Sequence, residues 1–416
     1  MPYACAMSSV AAPAVPPVSL RSDGRVIGLI GLAHGTSHFF HLLVPTLFTF
    51  LMVSLGANWT AISLSTTVFF VISGVGQALA GFVVDRFGPL RVLLFGMLCF
   101  LAAGLFLGLV VESLMGVYLV AGLAGLGNSV LHPCDYSILN RKVSVPRLGH
   151  SFAVHGLVGN LGWGLAYALL PWVAMTTNWH VAATVGGFVA LPALVLLWIY
   201  RADLECEPIH REHDAQGSHG AFAYLAVGAV WLCFTFFFLT TVAFGVVQNF
   251  AAPVLVKLYG LSSGGAALVV STYLFSAAGG MAVGGFLAQR HEQDRIIAMV
   301  LVVAALFAVV LASQVLPSWA VLPVMASIGF CTGVAGPSRD LLVRRAAASR
   351  FGRSAYGRVY GFVYSGLDAG LACAAPIFGG FMDAGRFSIV LVGIAVFQGL
   401  AVLTALRVGK SAPVNP

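Results

Sequence analysis

The feature that most constrains this chain is a succession of apolar stretches separated by short polar turns. Each is about as long as the 20 or so residues a helix needs to cross a bilayer. They fall at residues 26–54, 60–84, 90–111, 115–140, 149–174 and 180–200, then at 222–250, 262–288, 294–314, 318–342, 357–382 and 386–406. In hydrocarbon a backbone must satisfy its own hydrogen bonds, so such stretches are helices or strands of a closed barrel. A barrel strand alternates apolar and polar residues over about ten positions, and no such alternation occurs here. Only 8% of residues are charged, against about a quarter in a soluble domain, and mean hydropathy is +0.96. The expectation is an all-α membrane protein of 12 transmembrane helices, with both termini on one side.

Charge sets the orientation. Eighteen of the 21 Lys and Arg fall in tails and loops on the side of the termini. Lys257 and Arg386 lie on the other side, and Arg339 sits inside the tenth span. Basic residues stay on the cytoplasmic side of a membrane, so cytoplasmic termini and a multi-pass chain in the inner (plasma) membrane are expected. The same bias accounts for the net charge of +7 without nucleic acid. The division that follows is a disordered cytoplasmic tail at 1–25, a six-helix bundle at 26–201, a cytoplasmic linker at 202–221, a second bundle at 222–407 and a short tail at 408–416. His210, His213 and His219 in the linker lack a compact metal-ligand spacing. The seven cysteines form no Cys-x-x-Cys pair, which suggests neither disulfides nor a metal centre. No Gly-x-x-x-x-Gly-Lys-Ser/Thr loop is present, which disfavours a nucleotide-driven pump. Neither cofactor nor enzymatic activity is expected, and a monomer in contact with lipid, small-molecule substrate and protons is.

Two patterns point to a duplicated transporter architecture. Gly81-Phe-Val-Val-Asp85-Arg86-Phe-Gly88-Pro89-Leu-Arg91 packs an acid, two arginines and a helix-breaking Gly-Pro between the second and third spans. Gly81 is expected to let helices approach closely, Asp85 to bind a neighbouring helix end or base, and the arginines to hold the turn in the cytoplasm. The second half echoes it 204 residues later in Gly285-Phe-Leu-Ala-Gln289-Arg290, with Arg295 opposite Arg91 and Pro337 opposite Pro133. Pro253 answers Pro45, and Asp368 and Gly370 answer Asn160 and Gly162, 208 residues apart. A repeated six-helix unit with a cavity between its copies follows. The loop resembles the signature between helices 2 and 3 of the major facilitator superfamily, with Pro89 where that family usually carries a base. The resemblance implies two pseudo-symmetric bundles that rock about a central site.

Polar groups inside the spans mark the candidate site, since an ionisable side chain in hydrocarbon is costly and usually faces a cavity or a partner. His34, His38 and His41 share one face of the first helix. Lining of the cavity is favoured for His34 and His38, and a bond to a neighbouring helix's carbonyl for His41. A metal site would need further acid or Cys ligands at matching depth, and none is located in the sequence. In the fourth helix Asn128, His132 and Asp135 share a face beside Pro133. His132 and Asp135 are either a proton-exchanging pair or a structural ion pair near the cytoplasmic mouth. His155, Gly159 and Gly162 fall on one face of the fifth helix, where glycines imply close packing. Asp340 pairs with Arg344 at i, i+4. Arg339 either pairs with Asp135 across the cavity or binds an anionic substrate. Asp368, near the midplane, is the foremost candidate for proton coupling, with a permanently neutral structural acid as its rival.

Ser37-His38, Gly125 to Pro133 and Gly156 to Gly162 resemble the fosmidomycin-resistance branch of that superfamily, which implies proton-coupled efflux of drug-like compounds. The chain departs from that branch at Cys134, where the branch carries Glu, with Asp135 one place later. The Gly-Pro-x-x-Gly-Gly antiporter element is absent from the fifth helix. Ala375-Pro376-Ile-Phe-Gly379-Gly380 in the eleventh resembles only its C-terminal counterpart. Uptake of an organic anion is the alternative suggested by Arg339 and the histidines. A receptor without transport lacks a folded soluble domain to signal through. A channel fits less well, because a two-fold repeat with buried titratable groups favours alternating access.

Overall fold

In the computed structural model the described residues are 19–206, 226–290, 292–351 and 356–411, with side chains not described at 340–361 and a few other positions. Twelve of its helices are long and apolar enough to cross a membrane. They are α1 (Leu20–Leu55), α2 (Trp59–Phe87), α3 (Pro89–Leu109), α4 (Leu114–Lys142), α5 (Val145–Thr176), α6 (Trp179–Ile199), α7 (Val230–Tyr259), α8 (Ser263–Ala288), α9 (Gln293–Ala312), α10 (Ser318–Arg339), α11 (Phe362–Asp383) and α12 (Phe387–Arg407). No strand occurs among the described residues.

Sequence punctuation sets the ends. Asn58, Ser113 and Asn178 cap α2, α4 and α6 by accepting from Ala61, Gly116 and Val181 backbone N–H groups. Gly88, at φ +82°, turns the chain between α2 and α3, and Pro89 opens the next helix, where its missing N–H costs nothing. Within α4 the helical run breaks at Val130. Pro133 cannot donate to the Ser129 carbonyl, and the break releases that acceptor four residues upstream.

Some boundaries differ from those expected. α1 starts at Leu20, so residues 20–25 are helix rather than disordered tail, because Ser19 caps the N-terminus and Asp23 is buried against Ser144, just before α5, and Arg147 of α5. Arg25 pairs with Asp203 at 2.7 Å, which ties the end of the first half back to its beginning. α7 is shifted toward its C-terminal end, running to Tyr259. A π turn at Val247–Ala251 leads into Ala252–Tyr259, which carries the helix past residue 250 and through Pro253. The linker histidines, the Asp340–Arg344 pair and the 408–416 tail lie outside the fully described residues.

The duplication is visible at atomic detail. A Cβ built on Gly125 of α4 would lie 2.4 Å from the Phe69 carbonyl of α2. One built on Gly329 of α10 would lie 2.1 Å from the Tyr273 carbonyl of α8. Both members of the second contact are 204 residues beyond those of the first. The terminal segments of α1 and α7, Phe48–Leu55 and Ala252–Tyr259, keep the same offset and end on left-handed glycines, Gly56 and Gly260. Such contacts matter in a bilayer, where lipid is as apolar as any side chain and association relies on close packing. Gly162 shows the same principle. Its Cβ would meet the Gly35 carbonyl at 2.0 Å, so α1 and α5 touch backbone to backbone.

The halves meet along two seams, α2 with α11 and α5 with α8. The cross-seam hydrogen bonds of the described side chains gather toward the end of the bundle away from the termini, hereafter the far end. Asp383 of α11 accepts from the Trp59 and Thr60 N–H groups at 2.7 and 3.0 Å and from the Thr60 hydroxyl. Thr67 donates to the Ala372 carbonyl at 2.7 Å, Thr66 to Asn249 Oδ1 at 2.7 Å and Ser271 to the Gly164 carbonyl at 2.9 Å. Tyr167 donates to the Gln248 carbonyl. At the opposite end, Cβ atoms placed on Gly81 and on its counterpart Gly285 would find open space, which corrects the expectation of a close helix approach there. The far end is latched, and at the other end these small-residue faces are bare.

Candidate functional site

At mid-depth in the first bundle, α1, α4 and α5 enclose a cluster of imidazoles around one acid. The glycine contact described above draws α1 onto α5, so the His34 and His155 rings stack at 3.4 Å between centroids. Asp135, fully buried, is 2.9 Å from His155 Nε2 and 3.4 Å from His34 Nδ1 through the same oxygen, Oδ2. His38, one turn along α1, is 4.3 Å from His34 ring to ring, and its other face stacks on Trp163 at 4.0 Å. His132 approaches His34 at 5.2 Å, and its Nδ1 lies 3.1 Å from Gln77 Oε1 of α2.

His41 extends the network toward the far end. The Trp163 indole can only donate, so at 3.2 Å it fixes His41 Nδ1 as acceptor. His41 Nε2–H then donates to Asn128 Oδ1 at 2.9 Å. Asn128 Oδ1 also accepts from Ser37 at 2.5 Å, while its Nδ2 donates to Ser73 at 2.7 Å. One amide thus joins α1, α2 and α4. His41 is held by side chains rather than by the backbone carbonyl expected from sequence.

Sequence grouping and spatial grouping differ in three respects. The partner of Asp135 is His155 with His34, not His132, because α1 and α5 close over the carboxylate while His132 turns to Gln77 of α2. The pairing of Asp135 with Arg339 does not hold: the carboxylate is taken up within its own half, while the Arg339 guanidinium lies 4.5 Å over the Phe237 ring. The histidines of α1 do not line an open chamber. His34 is 2% exposed, and the cluster is enclosed within the first bundle, with Trp163 and Phe244, 4.8 Å apart, between it and α7. His132 is its half-buried member. The acid that the sequence reading did not locate beside His34 is Asp135.

Asp368 stands apart. It lies twelve residues into the helix Tyr356–Asp383, about 18 Å along it, and its Cβ packs against Gly74 of α2, 3.3 Å from where a Cβ there would sit. The deepest acid of the second half therefore sits on the α2–α11 seam itself. Asp85 is half-buried at the end of α2, Arg86 lies 5.5 Å over the Phe87 ring, and Arg91 is exposed at the start of α3.

The family model for the Major Facilitator Superfamily matches residues 27–350, most of the chain. The chain belongs to this superfamily. It is therefore a membrane transporter rather than an enzyme. Among curated relatives, the fosmidomycin resistance protein of Escherichia coli strain K12 is 26% identical over 285 residues, 66% of this chain and 68% of that protein. A probable 4-methylmuconolactone transporter of Cupriavidus pinatubonensis is 26% identical over 163 residues, 37% of each chain. A multidrug resistance protein B homolog of Mycobacterium tuberculosis is 26% identical over 172 residues, 41% of this chain and 32% of that one. Solved structures of the POT family transporter PepTSo and of a point mutant of the nucleoside transporter NupG superpose with TM-scores of 0.74 and 0.73. They cover 95% and 93% of this chain and 99% and 100% of their own, each at 14% identity, which supports the major facilitator fold.

Several residues around the site went unread in the sequence. Gln248 and Asn249 sit in the π turn of α7, facing Tyr167 and Thr66 across the seam. Their signal was available, as two adjacent amides inside an apolar span just before the Pro253 that echoes Pro45. Gln77 and Trp163 left no comparable trace, since a lone Gln or Trp in a span is ordinary.

Proposed function

We propose that this superfamily member is a proton-coupled secondary transporter that exports small drug-like organic molecules by alternating access, with its termini in the cytoplasm. The single observation that carries the coupling is Asp368. It is a mid-depth carboxylate on the α2–α11 seam, packed on a glycine and without a hydrogen bond or ion pair among the described residues. An acid on the moving seam changes its surroundings whenever the halves rock, which is what coupling of a proton to a conformational cycle requires. The orientation rests on the excess of Lys and Arg at the end of the termini. With that orientation, the far-end latch corresponds to an inward-facing state. The direction of transport rests on the likeness to the fosmidomycin resistance protein, which makes fosmidomycin the first compound to test.

The experiment is uptake into everted membrane vesicles with and without an imposed pH gradient, for wild type and Asp368→Asn. Gradient-dependent accumulation in wild type, lost in the variant at equal protein abundance, is the expected result. Accumulation in right-side-out vesicles only would reverse the direction. Full gradient dependence in Asp368→Asn would remove this acid from the coupling. Thermal stabilisation of purified protein by a compound panel widens the substrate search beyond fosmidomycin.

A further inference from the structure

The imidazole cluster has more nitrogen than the hydrogen bonds around it use. A Cβ built on Gly159 would fall 3.0 Å from His34 Nε2 and 2.6 Å from His38 Nδ1, so both nitrogens converge on the space that this glycine leaves open. His38 Nδ1 is buried and has no hydrogen-bond partner. His132 completes the group: one ligand nitrogen from each of His34, His38 and His132 lies within 4.8 Å of the others. Gln77 Oε1 occupies His132 Nδ1 at 3.1 Å. An amide oxygen only accepts, so that nitrogen carries the proton and Nε2 presents a lone pair. Asp135 Oδ2 lies 3.4 Å from His34 Nδ1 without a hydrogen bond to it, and its negative charge favours a proton on that nitrogen and a lone pair on Nε2, the one facing Gly159. The lone pairs on His34 Nε2 and His132 Nε2, with the unbonded His38 Nδ1 beside them, make a donor set that a cation can bridge.

We propose that His34, His38 and His132 form a binding site for a divalent first-row transition-metal ion of the zinc type, with Asp135 and Gln77 as positioning residues behind His34 and His132. Histidines four apart on one helix are a chelating pair, and three imidazoles suit zinc, cobalt or nickel rather than calcium or magnesium. Carboxylate and amide partners on the far ring nitrogens are the outer layer such ligands commonly have. Tetrahedral coordination at about 2.1 Å places ligand nitrogens about 3.4 Å apart, which the observed spacing reaches by modest ring rotations. All three ligands belong to the first bundle, so rocking of the halves leaves the site intact, and the ion is a fixed occupant rather than cargo. The site stands whether or not the chain exports drugs.

The test uses full-length protein in detergent, stripped with a chelator and titrated with Co²⁺, whose visible d–d absorption reports tetrahedral nitrogen coordination, followed by Zn²⁺ competition. One Co²⁺ per chain, displaced by Zn²⁺, is expected. His38→Ala and His132→Ala should each weaken binding at least about 100-fold, and Asp135→Asn by about 10- to 100-fold. His180→Ala should bind as wild type does, since its ring is 3.1 Å from the Gly108 carbonyl at a remote place. Thermal unfolding of each stripped variant shows whether it is folded. Absence of bound Co²⁺ on folded wild type overturns the proposal. So does binding that survives His38→Ala, including the case where it disappears with His155→Ala, which would put the ion on Asp135 and His155 instead.

Discussion

Thr66→Val isolates the far-end latch. The Thr66 hydroxyl donates to Asn249 Oδ1 at 2.7 Å, both residues are buried (4% and 1% exposed), and Asn249 Nδ2 is engaged with the Gly245 carbonyl. Valine keeps the branched shape and removes the donor, so in the latched state Asn249 Oδ1 becomes a buried acceptor without a partner. That costs about 1–3 kcal/mol. When the seam parts, water reaches the same oxygen and the penalty disappears. The substitution therefore disfavours one conformation selectively, and at about 2 kcal/mol it changes the ratio of latched to parted molecules by about 30-fold. A parted state holding about 1% of wild-type molecules would rise to about a quarter. Spin labels at Val53 and Val315, exposed far-end positions on opposite halves, make this measurable by pulsed electron spin resonance in a background lacking the native cysteines. The expected result is a new, longer distance in Thr66→Val. An unchanged distribution, with the variant folded and wild type confirmed as latched, would refute the reasoning that this bond holds the seam.

Other substitutions test the packing and the charge ties. Gly162→Ala places a methyl 2.0 Å from the Gly35 carbonyl and should destabilise the protein by about 1–3 kcal/mol, whereas Gly81→Ala, in a helix and facing open space, should raise the unfolding temperature slightly. Arg147→Ala leaves the buried Asp23 carboxylate with Ser144 as its remaining partner and should cost about 1–3 kcal/mol. Asp23→Asn on top of it should recover part of that loss, as read by thermal unfolding of the single and double variants. Asp383→Asn weakens three bonds to the start of α2 and should shift the same spin-label distances in the direction of Thr66→Val, by a smaller factor because the site is exposed.

The number of spans was legible because each apolar run is bounded by capping residues or Gly-Pro turns, as at Asn58 and at Gly88-Pro89. The duplication was legible because the second half retains Gly285-Phe286 and Pro337 at a fixed offset. Side-chain partners were less so. Helical periodicity places His132 and Asp135 on one face, yet the carboxylate bonds His155, since periodicity within one helix says nothing about which neighbour closes over it. The approach of α1 to α5 depends on Gly35, Gly159 and Gly162 acting together across two segments far apart in sequence. The π turn at Val247–Ala251 adds a register shift that no 3.6-residue pattern contains. It is what presents Gln248 and Asn249 to the first half.

The polar cluster has no twin. At the repeat offsets, His34 is answered by Phe238, His132 by Gly336 and His155 by Val363, none of which can ionise. One ancestral bundle has thus diverged into a half cross-linked by imidazoles and amides and a half without that cluster. Whatever ion or proton the imidazoles hold is therefore a load carried on one side of the molecule alone.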